Sequence, residues 1–452
     1  MNNTSKPIEA ISVIDFDSLP TSAIILSADD VNRALDISNK VPNELKQWQV
    51  YLNSLALSAF ENWLGERGIA KKLNPEKCTI LQHTLASVID VVTNLQIGDF
   101  KICLIATGNL ADETVILPRV VIDLPEYVAH FYVVVEVLEE QEAANIYAFL
   151  SYQQIIERCA SSHLQPDSHW NYHFSMSWFD DNPDNLLLYL RCLELDAIAL
   201  PAIPTNRREI VSRFESELIN LLPQLQSPER ELWEILTWEQ AIAVLTSPDL
   251  LNWIYNLQIQ AFPEVKPQLS VSYLPDLLKL ITQPVLNAGR WLWNELDEVA
   301  QDFSWVLLPT LTPTSAMRSP AEEFEIIVAQ LRDRKEEIPL ESRAAFKDIA
   351  IAGVPLRLYA VTWHLMSESE KPEWALLVIL GAPALNSLPH HLKLRISDQN
   401  NILVKRGLEI GNNDSYIFTR VVGNWDEKFL VSVSLMDGVE VTLPTFAFDL
   451  ER

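Results

Sequence analysis

The densest group of side chains able to do chemistry lies between Cys159 and His173, in the run CASSHLQPDSHWNYH. It contains His163, Asp167, His169 and His173. Imidazole and carboxylate both bind zinc or iron, so these four residues are the candidate metal ligands. On a helix, His169 and His173 would share a face, because four residues make just over one turn. Pro166 and the pair Asp167-Ser168 favour a loop instead, and Phe174-Ser-Met-Ser-Trp178 favours a strand. Strand positions four apart are separated by roughly 13 Å, too far to hold one ion directly. His169 is followed by Trp170, where a hydrolytic HExxH helix carries Glu.

Cys159 and His163 would approach each other on a helix as a nucleophile and its base, but spacing does not select the third, orienting group. The sequence has no GxSxG elbow for a serine nucleophile. Gly98 and Gly108 stand apart from any Lys-Ser/Thr pair, so no phosphate loop is expected. His390 and His391 precede a predicted strand, where neighbours point to opposite faces. Asp180-Asp181 and Glu336-Glu337 lie beside Pro or charged residues and read as solvated turn and helix surface, not as a glycosidase pair. No catalytic residue and no cofactor is assigned from the sequence.

These side chains must be positioned by four stretches of chain. Residues 1–160 read as helices plus a small antiparallel β domain. Leu45, Trp48, Leu52, Leu55, Ala59 and Trp63 recur at steps of three and four, which predicts one apolar helix stripe ending near Gly65 and Gly68. A second helix is expected from Asn74 and Pro75, with Leu81, Leu85, Ile89 and Val92 inward. Lys101–Ala106, Val115–Val121, Phe131–Leu138 and Asn145–Ser151 then read as an antiparallel meander or small barrel, with Gly108, Asn109, Asp112 and Glu113 turning the first pair. Residues 161–308 read as a mainly helical domain, including Arg208–Leu222, a segment after Pro228, Leu250–Gln260, and Pro275–Val306 kinked at Pro284. Its tryptophans, among them Trp233, Trp238, Trp253, Trp291, Trp293 and Trp305, fit helix packing.

Residues 309–344 are a Pro/Thr/Ser linker (309–320) followed by a charged helix at Phe324–Arg334. Residues 345–452 carry seven predicted strands, from Leu356–Met366 to Val439–Leu443. Leu392, Leu394 and Ile396 alternate with Lys393, Arg395 and Ser397, and Val431, Val433 and Leu435 alternate with Ser432 and Ser434. Gly407, Gly411, Asn412, Asn413, Gly423, Asn424, Asp437 and Gly438 mark turns. This pattern predicts an antiparallel β-sandwich, of which immunoglobulin-like connectivity is one form. The expected class is therefore α+β: helical N-terminal and central regions around a small antiparallel meander, with a C-terminal sandwich.

The chain has 452 residues, and 48% of them are hydrophobic, enough to bury large cores. Its formal charge is -27. Residues 341–452 hold 14 acids and 11 bases, so a net of -24 belongs to the first 340. Such a surface repels nucleic acid and anionic membranes, and it serves either to keep the chain soluble or to attract a basic partner. The start, MNNTSKPIEAISVIDFD, lacks the basic and apolar regions of a signal peptide. No stretch of 18 apolar residues occurs, so no membrane span is expected. Cys78, Cys103, Cys159 and Cys192 form no CxxC pair and read as reduced thiols of a cytoplasmic protein.

The segment Tyr51–Leu64, YLNSLALSAFENWL, resembles the opening helix of a cyanobacterial family, domain of unknown function 1822. Asp123–Val137, DLPEYVAHFYVVVEV, followed by a strand and Tyr152-Gln-Gln-Ile155, is similar to the same family, as are Leu392-Lys-Leu-Arg395 and the final strands. The resemblance implies a cyanobacterial, cytoplasmic protein and brings no reaction or active-site residues. The expectation is a non-enzymatic adaptor or regulatory protein that binds an unidentified protein partner through a strand edge or an acidic helical surface. The alternative is a metal- or cysteine-dependent hydrolase using residues 159–173.

Overall fold

A computed structural model describes residues 19–20, 22–69, 74–88, 93–108, 113–260, 271–309, 319–365, 372–383, 386–408, 415–435 and 438–450. The expected chain start, helix positions Ile89 and Val92, turn residues Asn109, Asp112, Gly411, Asn412, Asn413 and Asp437, and most of the linker lie outside them. The chain is α+β and divides into two units, Met1–Ile203 and Pro204–Arg452.

In the first unit, Asn43 caps the helix Glu44–Glu66 by accepting from the Leu45 N–H at 2.9 Å, and Glu44 suits its positive end. Every residue from Val50 to Phe60 is buried, so the middle of this helix is enclosed on all sides. The expected stripe needs correction at its start. Leu45 is 80% exposed and Trp48 is 56% exposed. Lys46 and Val50, across the turn from Trp48, take the inward positions there. The second expected helix is broken into turns at Pro75–Lys77 and Thr79–Leu81 and a short helix His83–Val88.

Among the described residues, seven strands belong to this unit: β1 (Ile24–Ile25), β2 (Thr93–Ile97), β3 (Phe100–Thr107), β4 (Thr114–Pro118), β5 (Phe131–Leu138), β6 (Ala143–Ser151) and β7 (Asn171–Ser175). Five of them form a sheet in the order β1-β6-β5-β3-β2. The expected antiparallel meander is wrong at its centre, because β3 and β5 pair in parallel. The cause is β4, which leaves the sheet and pairs with the distant β7 as a separate ribbon. A parallel pair needs such a long crossover. Ile102, Leu104, Phe131, Val133, Val135, Ile146 and Phe149 share one core with the long helix. Ile146 and Phe149 can both face it although three residues apart, because the β5–β6 register shifts at Val134/Val135.

The second unit opens on helices. Arg207–Leu221 forms as expected. Thr237 and Gln240 make a reciprocal capping box for Trp238–Leu245. Ser247 caps Pro248–Ile259, whose Pro sits in the first turn. Pro284 ends a helix instead of kinking one. Leu274–Thr282 stops, and the chain continues as β8 (Val285–Asn287), a 3-10 turn Ala288–Trp293, the helix Glu298–Asp302 and β9 (Val306–Leu307). Proline's missing N–H and ring clash explain the stop.

The remaining strands are β10 (Arg343–Ile351), β11 (Val354–Leu365), β12 (Glu373–Gly381), β13 (Leu392–Ser397), β14 (Ile402–Gly407), β15 (Tyr416–Asn424), β16 (Leu430–Leu435), β17 (Val439–Thr442) and β18 (Thr445–Ala447). Two antiparallel sheets result, β15-β12-β11-β10-β9 and β14-β13-β16-β17, and β18 pairs β8 in parallel. Along β12, Trp374, Leu376, Val378 and Leu380 join a core with Leu392, Leu394, Ile396, Val431 and Val433 of the other sheet. The intervening Ala375, Leu377 and Ile379 join a second core with Phe324, Ile327, Val328 and Leu331 of the helix Pro320–Asp333. Period two on a strand thus meets a sheet on one side and a helix on the other.

Candidate functional sites

The helix Tyr152–Ser162 is capped by Ser151 and Gln154 and closed by His163, which adopts a left-handed backbone at φ 51°. His163 Nδ1 lies 2.9 Å from the Ala160 carbonyl oxygen. Beyond it the chain turns around Asp167. One carboxylate oxygen accepts from the backbone N–H groups of His169 (2.8 Å) and Asn171 (2.9 Å). The other meets His173 Nε2 at 3.0 Å. This is an Asx-type turn that folds back into β7. Burial acts to raise the Asp167 pKa, but the His173 contact and the two backbone donors outweigh it and hold the carboxyl below its usual range.

Of the four expected ligands, the structure therefore brings Asp167 and His173 together. His169 supplies its backbone N–H to the same turn, and the recorded His163 contact is with its own helix end. Among the described residues, no group of three or more His, Cys, Asp and Glu could hold a metal ion.

A second cluster was not legible as a motif. Arg119 Nε donates to Asp123 Oδ2 at 2.6 Å, and Tyr172 Oη donates to Asp123 Oδ1 at 3.2 Å across 49 residues of sequence. Burial, and then the negative charge of Asp123, push the Tyr172 hydroxyl up to about 12. The same two causes, in the same order, raise Tyr152 and Cys159. Beneath them, Tyr132 Oη donates to the Val121 carbonyl at 2.6 Å. A carboxylate beside a half-buried thiol disfavours the thiolate, which is the nucleophilic form.

All four cysteines are free, and Cys192 is the exposed one. Burial pushes Cys78 up to about 11 and raises Cys103 further. We expect iodoacetamide at neutral pH to alkylate Cys192 first, Cys159 slowly, and Cys78 and Cys103 after unfolding. Peptide mass spectrometry over a time course reads this order. Faster reaction of Cys159 than of Cys192 would reinstate a cysteine nucleophile.

A larger charged network lies in the second unit. Arg395 on β13 donates to Asp276 (2.7 Å) and Glu440 (2.9 Å) through Nη2. Ser397 Oγ donates to the other Asp276 oxygen at 2.6 Å, and Lys279 Nζ donates to Glu440 at 2.7 Å. These contacts tie the helix Leu274–Thr282 to β13 and β17. A similar tie joins Pro320–Asp333 to its sheet: Arg357 grips Asp348 with two nitrogens (2.6 and 3.0 Å) and reaches Glu323 at 2.8 Å.

The α+β fold, with helices packed on several sheets, sets the structural class. The model of a family described as proteins of unknown function, DUF1822, matches residues 24–442, and the chain belongs to that family. No curated protein and no solved structure matches it. Among the described residues, no helix is long and apolar enough to cross a membrane.

Proposed function

We propose that this chain is a non-enzymatic adaptor or regulatory protein that works through protein–protein contacts. The observation that carries the reading is how its converging ionisable groups are used. Arg395 and Arg357 each hold two carboxylates in ties between structural elements, and Arg119 holds Asp123 within one helical turn. The raised Cys159 thiol is unsuited to nucleophilic attack. The acidic surplus is then a property of surface, suited to recognising basic proteins. On this reading the two C-terminal sheets act as a sandwich that displays its edges, and the protein works in the cytoplasm of a cyanobacterium, away from nucleic acid and membranes. Affinity capture of the full chain from native extract tests it. One stoichiometric, salt-sensitive protein partner is the expected result, and repeated recovery of the chain alone would refute it.

A hydrolase using residues 159–173 draws on one observation, the Asp167–His173 pair, which has the geometry of an oriented histidine. Metal analysis of untagged protein, together with hydrolase assays on His173→Ala and Cys159→Ala, decides that reading. Bound zinc or iron, or an activity lost in either variant, would favour it over the adaptor.

A further inference from the structure

We infer that the start of the helix Glu44–Glu66 and the turn joining β5 to β6 form a docking surface for a basic, apolar-anchored segment of a partner protein. The inference rests on the adaptor reading and gives it a place and a partner chemistry.

Leu45 and Trp48 are three residues apart on the helix, so they share a face. They are 80% and 56% exposed, at one end of a helix whose middle, Val50 to Phe60, is buried. Trp48 is not isolated. Its ring lies 5.6 Å from that of Tyr51, which is itself buried. Burial, then the negative charges of Glu139 and Glu142, raise the Tyr51 hydroxyl. The turn Glu139–Gln141 with its cap Glu142 follows the end of β5 that this part of the helix approaches: Gln49 Nε2 donates to the Ala106 carbonyl at 3.1 Å, and Ala106 pairs with Val135 on β5. Glu140 and Glu142 are exposed, and Glu44 adds a fourth carboxylate beside Leu45. The turn is held in place: Glu142 takes a left-handed backbone at φ 47°, and its carbonyl accepts from the Leu26 N–H at 2.8 Å.

An exposed Trp beside an exposed Leu is the composition of an interface anchor. The flanking carboxylates select the occupant. Lys or Arg side chains would meet the Glu turn, and one could lie over the Trp48 ring. An aliphatic side chain between them would cover Leu45. The net charge of -27 steers such a segment toward the protein. It repels nucleic acid and anionic lipid, the other basic-patch ligands in reverse. A second copy docked through the same surface would set one Glu turn against another, which like-charge repulsion disfavours.

The test uses the full chain and a fluorescent peptide of alternating Lys and Leu, with a Glu/Leu peptide as its counterpart, read by anisotropy. The Lys/Leu peptide should bind in a salt-sensitive way, and the Glu/Leu peptide should not. Trp48→Ala should weaken binding by about tenfold and Glu140→Gln/Glu142→Gln by a few-fold, as for an anchor and its charged rim. Leu188→Ala, which changes an exposed Leu of another helix, should leave it unchanged. Equal affinity in wild type and Trp48→Ala overturns the inference. So does self-association of the chain that Trp48→Ala abolishes, because the occupant would then be a second copy. If Trp48→Ala captures the same stoichiometric partner as wild type from native extract, this surface is wrong and the adaptor reading stands. If wild type captures none, both fall.

Discussion

Asp276→Leu should destabilise the second unit by about 3 kcal/mol, the range expected when one partner of a buried ion pair is removed. Asp276 is 1% exposed, and both of its oxygens are engaged, one by Arg395 and one by Ser397. Truncation strands a guanidinium and a buried hydroxyl in one step. Glu440 still faces Arg395, which keeps the cost near the lower end of that range. The double variant Asp276→Leu/Arg395→Met should recover most of the loss, because two apolar side chains need no charge partner. Urea denaturation followed by hydrogen exchange in β13 and β16 measures both. A single-variant loss below about 1 kcal/mol would show that Glu440 alone satisfies Arg395.

Glu440 gives the same network a pH signature. Burial raises its pKa, but the Lys279 hydrogen bond and the charges of Lys279 and Arg395 outweigh this and hold the carboxyl below its ordinary value of 4.5. A carboxyl lowered in the folded state contributes stability above its unfolded pKa. That contribution is lost as pH falls through the folded value. Glu440→Gln should therefore lose stability at neutral pH and flatten the acid limb of the stability profile below about pH 4.5.

Much of the fold was legible because local pattern and tertiary role agree. Alternation at Leu392, Leu394 and Ile396 marks a strand with one buried face, and that face is buried. Phe131–Leu138 is a strand over the range its β-branched run implies. What was illegible depends on pairing at a distance. Nothing local to Val115 says that it will face Phe174 in a ribbon and leave β3 to pair with β5. The stripe through Leu45 and Trp48 is a correct helix signal with the wrong inward side at its first turns, since periodicity reports a face and not what covers it. Sites divide in the same way. Asp167 and His173 are six residues apart and meet in a turn, so a sequence window contains them. Asp276 and Arg395 are 119 residues apart, and their contact exists because a helix is laid on a sheet.

Trp374→Ala should cost about 3–5 kcal/mol, the range for deleting a buried aromatic side chain. Trp374 is fully buried on β12, with ring centroids of Phe429 at 4.9 Å and Phe448 at 5.2 Å. Its Nε1–H donates to the Asn424 carbonyl at 3.0 Å, so truncation opens a cavity and removes one of two donors to that carbonyl on the paired strand β15, the Glu427 N–H at 3.0 Å being the other. Trp374→Phe refills most of that volume but not the donor, and should cost about 1–2 kcal/mol. The informative contrast is with Trp48→Ala. That residue is 56% exposed, and its removal should change stability by less than about 0.5 kcal/mol. Equilibrium denaturation of the three variants separates an indole that holds layers together from one that faces solvent. A Trp48→Ala loss comparable to that of Trp374→Ala would mean that the helix start is packed in solution, and its apolar face would no longer be free to receive a partner.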